Sequence, residues 1–343
     1  MKRSVLFFVL MGLAVCATTV SADLAKIHVR IGHFSNVTHA QALIGHADHR
    51  FDDALAPNAM IDWKIFNAGP SAVEAIFAGQ LDIAYIGPSP AINAYVKSGT
   101  DAVRVVAGSA VGGAALVIRG DSGIKKVSDF HGKKIASPQL GNTQDVALRS
   151  WLLDNGLKST DLGGDVQVLP LANPDQQTLF LKKEIDASWT VEPWVSIFLE
   201  KAGGKVFLEE SSLWPGEQYS TALVLVRRRF LDEHPDLVKK FLQVHIEITH
   251  WIYEGPAHHA EAKKIIKAEI EKETGKEFPR SVLESAFARI HFSYDDPASS
   301  MTTQAKAAFK AGFLKKDPDI SGLFDLKLLQ QVLKEKKMEI LKN

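Results

Sequence analysis

The sequence holds a single cysteine, Cys16, and it lies inside an N-terminal apolar run. That excludes a disulfide framework and leaves no residues for a cysteine-based zinc motif. Net charge is missing as well: forty basic residues balance forty acidic ones, so no global field recruits nucleic acid or an anionic membrane. Beyond the first residues, no segment is apolar enough to cross a bilayer. Neither a G-x-S-x-G nucleophile turn nor an H-E-x-x-H zinc helix occurs, and there is no fixed-period repeat or low-complexity tract. What remains is a chain of 343 residues, 46% hydrophobic, long enough to build two cores.

The start, "MKRSVLFFVLMGLAVCATTVSAD", reads as a secretory signal of residues 1–22: Lys2 and Arg3, an apolar stretch over 5–15, then "VSA" before Asp23. Cleavage after Ala22 and a periplasmic mature chain are expected. The apolar stretch falls short of the roughly 20 residues of a membrane span. "LAVC" loosely resembles a lipobox, which leaves lipid attachment at Cys16 as the alternative, although Val15 is a poor residue before a lipidated cysteine.

Strand and helix patterns then alternate. "KIHVRIG" and "IDWKIF" read as strands, and "THAQALIGHADHRF" as a helix. "GPSAVEAIFAG" and "SPAINAYVKSG" follow as helices that open on Gly-Pro-Ser turns, with "LDIAYIG" as a short buried strand between them. A second set runs through "KKIAS", "QDVALRSWLLDNG", "DVQVLPL", "PDQQTLFLKKE", "DASWTV" and "PWVSIFLEKAG", and from Leu231 onward the pattern is almost wholly helical. Repeated βα units argue for α/β lobes with mostly parallel sheets, in which small ligands sit beyond the carboxyl ends of the strands. "EAIFAGQLDIAYIGPSP" and "TLFLKKEIDASWTVEPW" use one device, helix, turn, apolar strand and proline-marked loop, once in each half.

Five stretches in this order, "VRIGHFSN", "FNAGPSAVEAIFAGQLDIAYIGPSPAI", "VSDFHGKKIASPQLGNTQ", "DASWTVEPW" and "QYSTALVLVRRRFLDEHPDLVKKFL", resemble the periplasmic solute-binding proteins of ABC importers for aliphatic sulfonates, taurine and nitrate. The group also includes binders of thiamine pyrimidine precursors. The resemblance implies a two-lobe type II periplasmic-binding-protein fold with two hinge crossings. The first lobe would be residues 25–112 plus 222–343, the second 118–215, with crossings in "GGAALVIR" and "YSTALVLV". It further implies a small anionic ligand, a membrane permease as transient partner, a monomer, and no cofactor.

Candidate site residues follow from the turns and the resemblance together. Gly141, Asn142, Thr143 and Gln144 open a helix whose free amides suit an anion, although an ordinary capped helix is the simpler reading of those residues alone. Asp145 is expected to point away from that seat. Gly69 and Ser71, with Ser89, would form the facing floor, and His33, Phe34 and Asn36 follow the first strand. On the other lobe stand Trp189, Glu192 and Trp194, the tryptophans either walling the ligand or packing the core and Glu192 either holding its loop or touching ligand. Gln218 and Tyr219 precede the second crossing, with hinge packing the alternative role.

His28, His33, His39, His46 and His49 cluster at spacings of 5, 6, 7 and 3, which match no metal motif, so no metal is expected. The reading is a binding protein for a sulfonate, taurine or nitrate type oxyanion. A pyrimidine binder is the alternative; an enzyme on the same scaffold would need a cofactor lysine or a reactive histidine and cysteine set, and the signal peptide and cysteine-free mature chain argue against it.

Overall fold

The computed structural model describes residues 26–295 and 297–338. The expected leader and Cys16 lie outside them. Eleven strands are present among the described residues: β1 (Ile27–Phe34), β2 (Ala59–Phe66), β3 (Ile83–Ile86), β4 (Val103–Gly112), β5 (Ala114–Arg119), β6 (Lys134–Ser137), β7 (Gln167–Pro170), β8 (Ala187–Val191), β9 (Gly204–Glu209), β10 (Ser220–Arg227) and β11 (Ile290–Phe292). They form two sheets, ordered β11-β4-β10-β3-β1-β2 and β7-β6-β8-β5-β9. In the first, β2, β1 and β3 run parallel and β10 is inserted antiparallel between β3 and β4. In the second, β7, β6 and β8 run parallel and β5 is the reversed strand. Helices flank both sheets, so the molecule is an α/β protein of two lobes.

Strand composition follows position. β3 and β8 are buried along their whole length, reading "IAYI" and "ASWTV", and the alternate polar face of β8 is buried too, with Ser188 and Thr190 bonded to Gln176 and Asn173. The same logic narrows the expected crossings to the residues just before β5 and β10. "AALVIR" and "STALVLVR" are apolar because β5 and β10 are interior strands, each with a neighbour on both sides, and not because they span between lobes. The first crossing is a pair of glycines, Gly112 and Gly113, at φ +75° and +79°. A side chain at Gly112 would meet the Arg289 carbonyl at 2.7 Å, and one at Gly113 would meet Ile290 at 2.4 Å, so both glycines are required by conformation and by space. The second crossing is residues 210–219, two 3₁₀ turns between β9 and β10.

Two further departures are local. His49 at φ 56° breaks the expected helix over 38–51 into Ala40–Ala47 and Arg50–Leu55. The helical C-terminal part contributes β11, three residues that cover the free edge of β4.

Candidate functional site

Five helices start where strands end: Gly69–Phe77 after β2, Pro88–Lys97 after β3, Thr143–Asp154 after β6, Asn173–Leu181 after β7 and Trp194–Lys201 after β8. Proline in the first turn starts three of them, as its fixed φ favours. In none does the N-cap residue's own side chain bond into the first turn, although Asn142, Thr143 and Glu192 accept the Gly69, Ser89 and Ser196 amides. Such helix starts present amides and a partial positive charge to whatever lies before them.

These starts face one another across the junction of the lobes. The Gly69 amide donates to Asn142 Oδ1 at 3.2 Å, the Ser89 amide to Thr143 Oγ1 at 3.3 Å, and Ser71 Oγ to Gln139 Oε1 at 2.8 Å. Asn36 Oδ1 accepts from Trp194 Nε1 at 3.0 Å and from Asn173 Nδ2 at 3.5 Å. The Val37 amide donates to the Glu192 carbonyl at 3.0 Å. The lobes are therefore closed on each other, and the Gly-Pro-Ser turns are the first lobe's half of the seam. Beside it lies a cavity of about 260 Å³ lined by Phe34, Asn36, Phe66, Asn173 and Trp194, with the carboxylates of Asp175 and Glu273 at its edge.

The helix Thr143–Asp154 keeps its one early carboxylate out of the seam. Asp145 is fully buried and turns back into its own lobe, accepting from Ser137 Oγ at 2.7 Å, the Gly141 amide at 2.9 Å and Arg149 Nε at 3.1 Å. Burial raises its pKa while Arg149 and the Gly141 amide oppose that shift. Gly141 sits at φ +79°, which lets the loop turn into the helix. Asn142 Nδ2 donates to Gln144 Oε1 at 3.1 Å, so residues 141–144 act as one buried unit.

The structure brings together Phe34, Asn36, Gly69, Ser71, Ser89, Gly141, Asn142, Thr143, Gln144 and Trp194. It separates the others. His33 lies on the opposite face of β1 from Phe34, fully buried and bonded through Nε2 to Glu273 at 2.7 Å, because successive strand residues point to opposite faces. Trp189 is core: its indole donates to Glu210 at 2.7 Å and packs edge-on against Trp151. Glu192 holds its loop by accepting from the Ser196 amide and hydroxyl at 3.0 and 2.9 Å. Burial pushes its pKa up to about 7, against the Ser196 amide and Arg289. Tyr219 is hinge packing, with its hydroxyl accepting the Ala114 amide at 3.1 Å. Gln218 lines a second cavity of about 210 Å³ behind the hinge, away from the seam.

Four residues of the junction escaped sequence reasoning. Gly87 has no room for a side chain: a Cβ there would lie 2.3 Å from Thr143 Oγ1. Asn173, the first residue of its helix, and Gln139, in the loop after β6, face the first lobe. "ANPD" after a strand repeats the strand-end, proline, helix signal of the first lobe, and that signal could have found Asn173. Arg289 links the lobes through Glu192 at 3.3 Å and Glu209 at 3.1 Å, and nothing local marks it.

Residues 22–267 match the NMT1-like family. The chain belongs to that family. Among its relatives is a putative aliphatic sulfonates-binding protein of Bacillus subtilis, 27% identical over 288 residues that cover 83% of this chain and 82% of that one. The taurine-binding periplasmic protein of Escherichia coli is 29% identical over 209 residues, covering 60% and 61% of the two chains. In fold, this NMT1-like chain is similar to the alkanesulfonate-binding protein SsuA of Xanthomonas axonopodis pv. citri bound to MOPS. The TM-score is 0.71 at 20% identity, covering 88% of this chain and 98% of that chain. The periplasmic nitrate-binding protein NrtA of Synechocystis PCC 6803 gives a TM-score of 0.71 at 14% identity, over 91% and 89%. The two-sheet α/β architecture is thus that of periplasmic binding proteins.

Proposed function

We propose that this protein is the extracytoplasmic substrate-binding component of an ABC importer, capturing a small oxyanion of the sulfonate, taurine or nitrate type between its lobes. The observation that carries the reading is the convergence of helix starts from both lobes on one seam, where their amides meet side-chain oxygens of the opposing lobe. Neutral amides and hydroxyls can hold an anion there, because hydrogen bonds to a charged acceptor are shorter and stronger than neutral ones. No lysine or arginine is among the described residues lining the adjoining cavity. The lobes open about Gly112, Gly113 and residues 210–219, and the closed form, a monomer, is what a permease receives. Residues 1–22 serve as the leader that carries the chain to the periplasm. Nothing has to react, so no turnover is expected.

Titration of the purified protein with taurine, ethanesulfonate, nitrate and an aminopyrimidine tests the reading. Binding of at least one oxyanion is expected, and binding of the pyrimidine alone would sink it. Thr143→Pro removes one amide and the Thr143 hydroxyl at a helix position that tolerates proline, behind Asn142 already extended at ψ 165°. That variant and Ser89→Ala are each expected to weaken binding by about 1.5 to 3 kcal/mol, the range for hydrogen bonds to charged groups. Unchanged calorimetric affinity in both would move the anion seat elsewhere.

A further inference from the structure

We propose that His33, His46 and Glu273 form a zinc site in the first lobe, behind the cleft. One ring nitrogen from each histidine and one carboxylate oxygen of Glu273 all lie within 4.8 Å of one another. Three separate elements deliver them: His33 at the end of β1, His46 in the last turn of helix Ala40–Ala47, and Glu273 in the last turn of helix Pro256–Thr274. The two imidazoles pack together at 5.9 Å between centroids, both against Trp63. Two imidazoles and one carboxylate are a donor set that zinc takes with one position left for water.

A plain buried ion pair between His33 and Glu273 explains only part of this arrangement. Nδ1 of His46 is buried and makes no hydrogen bond. Orphaned ring nitrogens in a protein interior cost free energy unless something else occupies them.

The surroundings supply the outer contacts of a metal site. Ser35 Oγ donates to Glu273 Oε2 at 2.6 Å, which fixes that carboxylate and leaves Oε1 directed at His33. Glu269, one turn before Glu273 on the same helix, stands 3.5 Å from His46 Nδ1, placed to act as a fourth ligand. Zinc with bonds of about 2.1 Å sets its ligand atoms about 3.4 Å apart. The widest edge of the triangle, at most 4.8 Å, must therefore contract by up to about 1.4 Å, and the 2.7 Å edge between His33 and Glu273 must widen by about 0.7 Å, shifts that the partly exposed His46 and a small displacement of Glu273 can supply. Zinc would take the place of the proton now shared at 2.7 Å between His33 and Glu273.

The test uses tag-free protein stripped with EDTA and dialysed, titrated with zinc chloride alone. No oxyanion ligand is present, so the outcome is independent of the transport reading. One zinc per chain by elemental analysis is expected, together with a raised melting temperature. His46→Ala and Glu273→Gln are expected to weaken zinc binding at least tenfold, while His28→Ala, at an exposed histidine paired with Asp62, leaves it unchanged. His46 is partly exposed and its replacement leaves the β1 core in place, so this variant decides the matter if Glu273→Gln fails to fold. Substoichiometric zinc in the wild type, or wild-type affinity in His46→Ala, overturns the proposal.

Discussion

Alanine in place of Gly87 is expected to leave both lobes folded and to prevent their closure. The backbone there, at φ −77° and ψ 159°, suits any residue, so the substitution carries no conformational strain. Its Cβ would lie 2.3 Å from Thr143 Oγ1, an atom of the opposing lobe, and relief comes as that hydroxyl turns away, losing the bond from the Ser89 amide, or as the seam opens. Opening it by even an ångström breaks the Ser89 to Thr143 and Gly69 to Asn142 hydrogen bonds. With overpacking at about 1 to 3 kcal/mol and the hydrogen bonds lost besides, ligand affinity should fall by about a hundredfold. The melting temperature of the ligand-free protein should barely change. Thr143→Ala added to Gly87→Ala removes the clashing atom, and the double variant should bind more tightly than Gly87→Ala alone. Wild-type affinity in Gly87→Ala, or no recovery in the pair, would mean that the lobes do not close on this contact.

Stability is expected to fall as pH rises from 5 to 8, with Glu210→Gln removing much of the loss. Glu210 is fully buried at the start of the second crossing, and burial pushes its pKa up to about 7 despite the hydrogen bond from Trp189 Nε1. Unfolded, the carboxyl titrates near its ordinary value of about 4.3. The folded form therefore keeps a proton that the unfolded form has released. Its contribution is fully present below the unfolded pKa and is lost as pH rises through the folded one, by about 3 kcal/mol. Glu192 adds to the same slope from its own buried site. Glutamine is neutral at every pH and still accepts from Trp189. Glu210→Gln should accordingly raise the melting temperature by about 5 °C at pH 8 and have little effect at pH 5. Scanning calorimetry at the two pH values decides it, and an equal shift at both would show that titration of Glu210 is not the cause.

The parts of the site that were legible in the sequence are those built by local chain grammar. Gly-Pro-Ser at 69–71 and 87–89 and "GNTQ" at 141–144 mark strand ends turning into helices, and each is such a turn in the structure. Strand parity was also there to be read. His33 and Phe34 are adjacent on β1, so no more than one of them can face the cleft, and it is Phe34 that lines the cavity. The two tryptophans were not separable in this way. Trp189 lies inside a strand buried on both faces and Trp194 begins a helix at the seam, and only the packing of β8 against its neighbours distinguishes a core indole from one that reaches Asn36.

By itself the sequence determined the alternation of strands and helices, the turns at their junctions and the membership of a family, because each is written in residues close together along the chain. The tertiary structure alone decided which lobe atoms meet. Gly87 and Thr143 stand 56 residues apart, Glu192 and Arg289 97, and His33 and Glu273 240, and no local pattern encodes such pairs. They are fixed by where the reversed strands β5 and β10 bring the chain back between the sheets, and that follows from burying apolar surface over the whole molecule and not from any one segment.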